Sequence, residues 1–182
     1  PFSFIASANC VLFERAVPIF VDIDPETYNI DPGLVNQAAE DLKSGGQAAA
    51  RWLPPAVRNQ ADHLGTLKAI LPVDAFGQAA DYDRIRQTAE EHEVIIIEDS
   101  CEALGTEYKG KKAGTLGDIG AFAFYPNKQM TTGEGGILVT DNQDWADLFR
   151  SLRNQGRDVF DAWLNHTRLG FNYRLDEMSA AL

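Results

Sequence analysis

The chain has 182 residues, enough for one domain with a substantial core, and carries a net charge of −11. Nonspecific binding to nucleic acid or to an anionic membrane rewards a basic surface, so this balance excludes both, while leaving room for a local basic pocket around a phosphorylated ligand. Cys10 and Cys101 form no CxxC pair, which argues against a disulfide framework and for a reducing cytoplasm. His63, His92 and His166 lack the convergent spacing of a metal site. No stretch approaches the roughly 20 apolar residues of a membrane span, and no basic-then-apolar signal segment opens the chain.

In chain order, SFIASANCVLFERA (3–16) reads as a helix with Ser3 as its N-cap. VPIFVDI (17–23) is rich in β-branched residues and reads as a buried strand. Asp31 followed by Pro32 marks the start of a helix through Asp41 or Lys43, with Leu34, Val35, Ala38, Ala39 and Leu42 on one stripe. Residues 44–66 break the pattern with Gly45-Gly46 and Pro54-Pro55 and read as a surface excursion of mixed helix and loop. KAILPVDAF (68–76) predicts a strand, DYDRIRQTAEEH (81–92) an amphipathic helix and VIIIED (94–99) a strand covered on both faces. AFAFY (121–125) and GGILVTD (135–141) predict two more strands. DWADLFRSLRNQG (144–156) predicts a helix capped by Gly156. Alternating strands and helices imply an α/β architecture with a largely parallel sheet, whose ligand site lies beyond the carboxyl ends of the strands.

Two residues fall at such ends. Asp99 closes VIIIED, and Lys128 follows AFAFY in YPNKQ. Taken singly, Asp99 reads as a turn or helix-cap residue and Lys128 as a solvated lysine. Together they are what pyridoxal phosphate (PLP) chemistry needs: an amine for a Schiff base with the cofactor aldehyde, and a carboxylate to hold the pyridine nitrogen protonated. Thr131, Thr132, Gly133, Gly135 and Gly136 form a turn that reads either as a plain connection or as backbone approaching the cofactor's phosphate. GTLGDIG (114–120) is not GxGxxG, so a nucleotide-binding oxidoreductase lacks its fingerprint.

The blocks FSFIASAN, AVPIFVDIDPETYNID, FGQAADYDRI, IIEDSCEALGTEYKGKKAGTLGDIGAFAFYPNKQMTTGEGG, LRNQGRD and HTRLGFNYRLDEMSAAL, in this order, resemble the DegT/DnrJ/EryC1/StrS sugar-nucleotide aminotransferases, most closely the perosamine-synthase-like members. The resemblance implies a three-layer αβα fold with a mostly parallel mixed sheet, the large domain of an aspartate-aminotransferase-like PLP-dependent transferase. It implies that Lys128 carries the cofactor, that Asp99 pairs with its ring nitrogen, and that Phe4 stacks on the ring. Plain core packing is the rival reading for Phe4. Glu102 would stand near the phenolic oxygen, where many members carry glutamine or histidine. Asn172 would reach the partner subunit's phosphate, making a homodimer with shared sites.

The implied reaction is amination of a keto-sugar nucleotide with L-glutamate, for amino-sugar and polysaccharide biosynthesis. The alternatives are a PLP-dependent sugar dehydratase, which carries histidine at the lysine position, and a non-catalytic α/β module. Three departures stand out. Ala123 occupies a position where many members have a phosphate-binding serine, and Asp74 replaces a common histidine. The family's upstream Ser-Gly-Thr phosphate loop and its C-terminal small domain have no counterpart in 1–182. The sequence therefore reads as a single partial domain, an excerpt expected to be inactive alone.

Overall fold

The structure is a computed structural model, and it describes residues 1–158 and 165–182. The elements are α1 (Ala6–Phe13), α2 (Pro32–Ser44), α3 (Gly46–Ala50), β1 (Ala69–Ile70), α4 (Tyr82–Glu91), β2 (Ile95–Asp99), β3 (Glu107–Tyr108), β4 (Lys111–Lys112), β5 (Ile119–Ala123), β6 (Gly136–Val139), α5 (Gln143–Arg153) and α6 (Glu177–Ala180). The main sheet runs β1-β2-β5-β6, parallel between β1 and β2 and between β2 and β5, with β6 antiparallel at the edge. This is the expected α/β fold with a mostly parallel mixed sheet.

The best-predicted helices carry their own start signals. Asp31 accepts from the N–H groups of Gly33 and Leu34 ahead of Pro32, and Asp81 accepts from Arg84 N–H at the start of α4. Their apolar stripes bury Val35, Ala38, Tyr82, Ile85 and Ala89 against Ile70 and Ile96 of the sheet. Residues 44–66 do mix helix and loop: α3 and a 3-10 turn at Pro55–Gln60 close over a separate small core of Ala49, Leu53 and Ala61.

Several expectations need correction. The predicted strand at 17–23 joins no ladder. Its one pairing is an isolated bridge between Ile23 and Ile30, although Val21 is buried in the core. The strand expected over 68–76 shrinks to β1, because Pro72 has no N–H to donate. The chain nevertheless stays beside β2: Asp99 N–H donates to Pro72 O at 2.9 Å, and Asp74 N–H donates to Asp99 O at 3.0 Å. β2 is not covered on both faces. Ile96 and Glu98 are buried, while Ile95, Ile97 and Asp99 on the other face are half-buried. The strand expected over 121–125 lies two residues earlier, at β5.

Helix α1 spans less than the predicted 3–16, and Ser3 is not its cap: Ile5 holds that position with no side-chain bond. Gly156 does not cap α5 directly. Asn154 is the cap, Gln155 takes the left-handed conformation at φ 64°, and Gly156 N–H returns to Ser151 O at 2.9 Å, a Schellman closure.

Candidate active site

β2 and β5 run side by side with Asp99 opposite Ala121, so the residues following both strands emerge at one end of the sheet. Asp99 is the last residue of β2. Its Oδ2 accepts a 2.6 Å hydrogen bond from the Ser7 hydroxyl, and its Oδ1 accepts from Cys101 N–H at 3.3 Å. Ser7 was not singled out in the sequence, since the contact joins positions 92 apart.

Lys128 sits on the turn after β5, anchored by its N–H to Tyr125 O at 3.0 Å. Its side chain is only 16% exposed, and Nζ lies 3.5 Å from Glu102 Oε1. Glu102 is the hinge of this cluster. Its Oε2 accepts from Phe76 N–H at 3.0 Å, and its carbonyl accepts from the Gln129 amide. Phe76, Glu102, Asn127, Lys128 and Gln129 line a cleft of about 340 Å³. Phe76 takes the left-handed conformation at φ 55°, an uncommon one for an aromatic residue, and the Glu102 bond holds it there.

Cys101 lies between the two halves of the site. Burial first and the neighbouring Asp99 carboxylate second push its thiol up to about 12, against the pull of the Lys128 ammonium the other way. The one thiol thus feels both the acid and the amine.

Phe4 is 78% exposed within this chain and joins neither of its two apolar cores. Its carbonyl accepts from Ser7 N–H at 3.2 Å, placing it one turn from the Asp99 contact. Asn172 stands apart. It bridges Asn154 beyond α5, is exposed, and among the described residues its side chain makes no hydrogen bond. Phe4, Asp99, Glu102 and Lys128 therefore belong to one end of the sheet, and Asn172 does not join them within this chain.

The turn after Lys128 uses its hydroxyls internally. Thr131 Oγ1 donates to Phe124 O and accepts from Gly133 N–H, and Thr132 Oγ1 donates to Glu134 O. Ala123, in β5, offers no hydroxyl. The described residues thus fit the two ends of a PLP ring, an amine and a carboxylate, and leave the phosphate without a side-chain hydroxyl from this turn.

Two buried acids support the site from behind. Asp74 accepts from Ser100 Oγ at 2.7 Å, Tyr82 Oη at 2.9 Å and Ala80 N–H at 3.0 Å. It ties the β1–α4 connection to the end of β2. Glu98 is wrapped by the glycine-rich loop: Gly114 N–H at 2.7 Å, Leu116 N–H at 2.5 Å and Gly117 N–H all donate to its carboxylate. The loop that failed as a dinucleotide fingerprint is thus a nest for an internal anion. It needs glycine where the backbone turns left-handed at Gly114, φ 84°, and where Gly120 packs directly on the Gly114 backbone. Burial raises both carboxyls, opposed in each case by these hydrogen bonds.

The DegT/DnrJ/EryC1/StrS aminotransferase family model matches residues 1–182. The chain belongs to that family. It is 38% identical over 180 residues to the GDP-perosamine synthase of Caulobacter vibrioides, covering 99% of this chain and 42% of that protein. A DegT DnrJ EryC1 StrS aminotransferase from Brucella abortus superposes with a TM-score of 0.81 at 36% identity, over 99% of this chain and 43% of that one. NtdA from Bacillus subtilis, solved with bound PMP, gives a TM-score of 0.75 at 31% identity, over 98% of this chain and 35% of that one. The chain thus spans about two-fifths of the length of its DegT-family relatives. Among the described residues no helix is long and apolar enough to cross a membrane.

Proposed function

We propose that the full-length protein is a PLP-dependent aminotransferase that aminates a keto-sugar nucleotide with L-glutamate as donor, and that residues 1–182 are the central part of its cofactor-binding domain. The observation that supports this reading is that Asp99 ends β2 and Lys128 stands on the turn after β5, the neighbouring parallel strand, so both emerge at one end of the sheet. The sugar-nucleotide substrate is supported by the relatives' names, such as GDP-perosamine synthase. The free thiols of Cys10 and Cys101 fit a reducing cytoplasm.

Bound, the cofactor supplies an aldehyde for the amino group and a ring that accepts electrons from the substrate Cα–H bond. Lys128 would hold the cofactor through its aldehyde and, once released, would move the Cα proton as a general base. Glu102 faces the Lys128 amine and orients it in the cleft. Asp99 would hold a proton on the ring nitrogen, Phe4 would cover a ring face, and the exposed Asn172 would reach toward the phosphate bound by a second subunit. Overall, the glutamate Cα would exchange its amine for an oxygen taken from water and give up two electrons, becoming 2-oxoglutarate. The sugar's ketone carbon would gain the amine and those two electrons and release its oxygen as water, so that no water is consumed net.

The test uses the full-length protein. Borohydride should fix PLP onto the Lys128 peptide, and glutamate with a keto-sugar nucleotide should yield 2-oxoglutarate in step with the amino sugar. Cofactor fixed elsewhere, or none at all, would reject the lysine assignment. Dehydrated sugar without 2-oxoglutarate would favour the dehydratase, which the lysine at 128 argues against.

A further inference from the structure

The side chains that fix Asp99 form a directed file. Ser7 Oγ lies 2.6 Å from Asp99 Oδ2 and 2.6 Å from Ser3 Oγ, and Ser3 Oγ lies 3.2 Å from Phe4 O. Each hydroxyl has one hydrogen, and an ionised carboxylate only accepts. With Asp99 ionised, the Ser7 hydrogen points at Asp99. The short Ser3–Ser7 contact is then Ser3 donating to Ser7, which leaves the longer Ser3–Phe4 bond unmade. The file runs from exposed Ser3 through Ser7 to the acid, every dipole aimed the same way.

Helix α1 contributes little else to the packing. Ala8 is its one buried residue, and Leu12 and Phe13 are exposed. Among the described residues, Ser7–Asp99 is the side-chain hydrogen bond that joins α1 to the sheet. It immobilises one carboxylate oxygen while the other accepts a single long bond from Cys101 N–H.

We propose that Ser7 is a positioning residue: its hydroxyl fixes the Asp99 carboxylate in the rotamer that meets the ring nitrogen of the cofactor. This rests on the aminotransferase reading. A tether that merely anchored α1 would serve any ring equally. A positioning bond matters only where the ring has a nitrogen for Asp99 to grip.

The experiment titrates full-length apoprotein with PLP and with its 1-deaza analogue, in which the ring nitrogen is a C–H. Ser7→Ala should raise the Kd for PLP about tenfold, the scale of one lost hydrogen bond to a charged group. It should leave the Kd for the analogue within about twofold. Ser7→Thr keeps the hydroxyl and should stay within about threefold of wild type for both ligands. Equal losses for both ligands, no loss for PLP, or a threonine variant as weak as alanine would each overturn the proposal. Wild-type protein that takes up neither ligand would overturn the aminotransferase reading and this inference with it. Wild-type uptake with an indifferent Ser7→Ala would overturn this inference alone.

Discussion

Two regions of the chain, a packed side and an open side, are built to different standards. On one, α2 and α4 close over Ile70 and Ile96, and Asp74 and Glu98 are fully buried with each carboxylate met by three hydrogen-bond donors. On the other, within this chain, α1, β6, α5 and 165–182 leave Phe4, Phe13, Ile137, Leu138, Leu148, Phe171 and Tyr173 exposed. The proposed chemistry lies on the seam: Asp99 ends β2, whose Ile96 and Glu98 belong to the packed side, and Lys128 stands on the turn that leads toward β6 of the open side. Packing supplies the rigidity that holds the acid, while the open side is where the proposed cofactor, substrate and second subunit would bind. If that division is right, variants of the packed side should lose stability first, and variants at the seam should lose activity first.

The largest expected effect is at the seam. Lys128→Ala in the full-length enzyme should lower kcat by at least about 10³-fold, the scale of losing a general base and a covalent anchor together. Thermal unfolding of the apoprotein should barely move, and a large drop in Tm would break the comparison. Asp99→Asn should cost on the order of 10²-fold in kcat, as for removal of one preorganised electrostatic partner. Steady-state kinetics set against apoprotein melting would measure both.

The packed side should answer the opposite way. Glu98→Ala strands several buried N–H groups at about 1–3 kcal/mol each, so roughly 3–5 kcal/mol of stability should go, read by urea unfolding. The same residue sets a pH signature. Its folded pKa lies above the ordinary 4.5, so folding retains a proton there that the unfolded chain releases. That contribution is complete below 4.5 and is lost as pH rises through the folded value. The stability gap between wild type and Glu98→Gln should therefore be widest near pH 4 and narrow upward; a gap that widens with pH would contradict the burial argument.

The smallest effects concern the caps. Asp31→Ala and Asn142→Ala each remove an N-cap acceptor, from α2 and α5, at about 1 kcal/mol. On the packed side the loss should appear as global destabilisation. On the open side it should appear as faster amide exchange confined to α5.

Much of the packed side was legible in the sequence because its signals are local. Asp31-Pro32 and Asp81 announce their helices, and the run of isoleucines announces β2. The rest was less legible because its outcome depends on partners distant in sequence. VPIFVDI has every local mark of a strand, yet a ladder needs a neighbour, and a single bridge to Ile30 is what it finds. Pro72 was visible, but its cost to the strand at 68–76 could be weighed only against β2. At the site, Lys128 and Asp99 were legible through residue type and strand-end position, and Glu102 and Phe4 through resemblance. Ser7 was not, because no spacing rule links a hydroxyl on α1 to an acid on β2. The 114–120 loop was read only for the ligand it would not bind; the hint of its real role was the buried acid in VIIIED, which needed some partner.

That loop has a consequence for how the protein tolerates change. Three amides meeting one carboxylate act as a length gauge, so adding or deleting a single residue between Gly114 and Gly117 would put every donor out of step with Glu98. The segment at 44–66, closed over its own small core, carries no such gauge and should accept insertions that the shorter loop refuses.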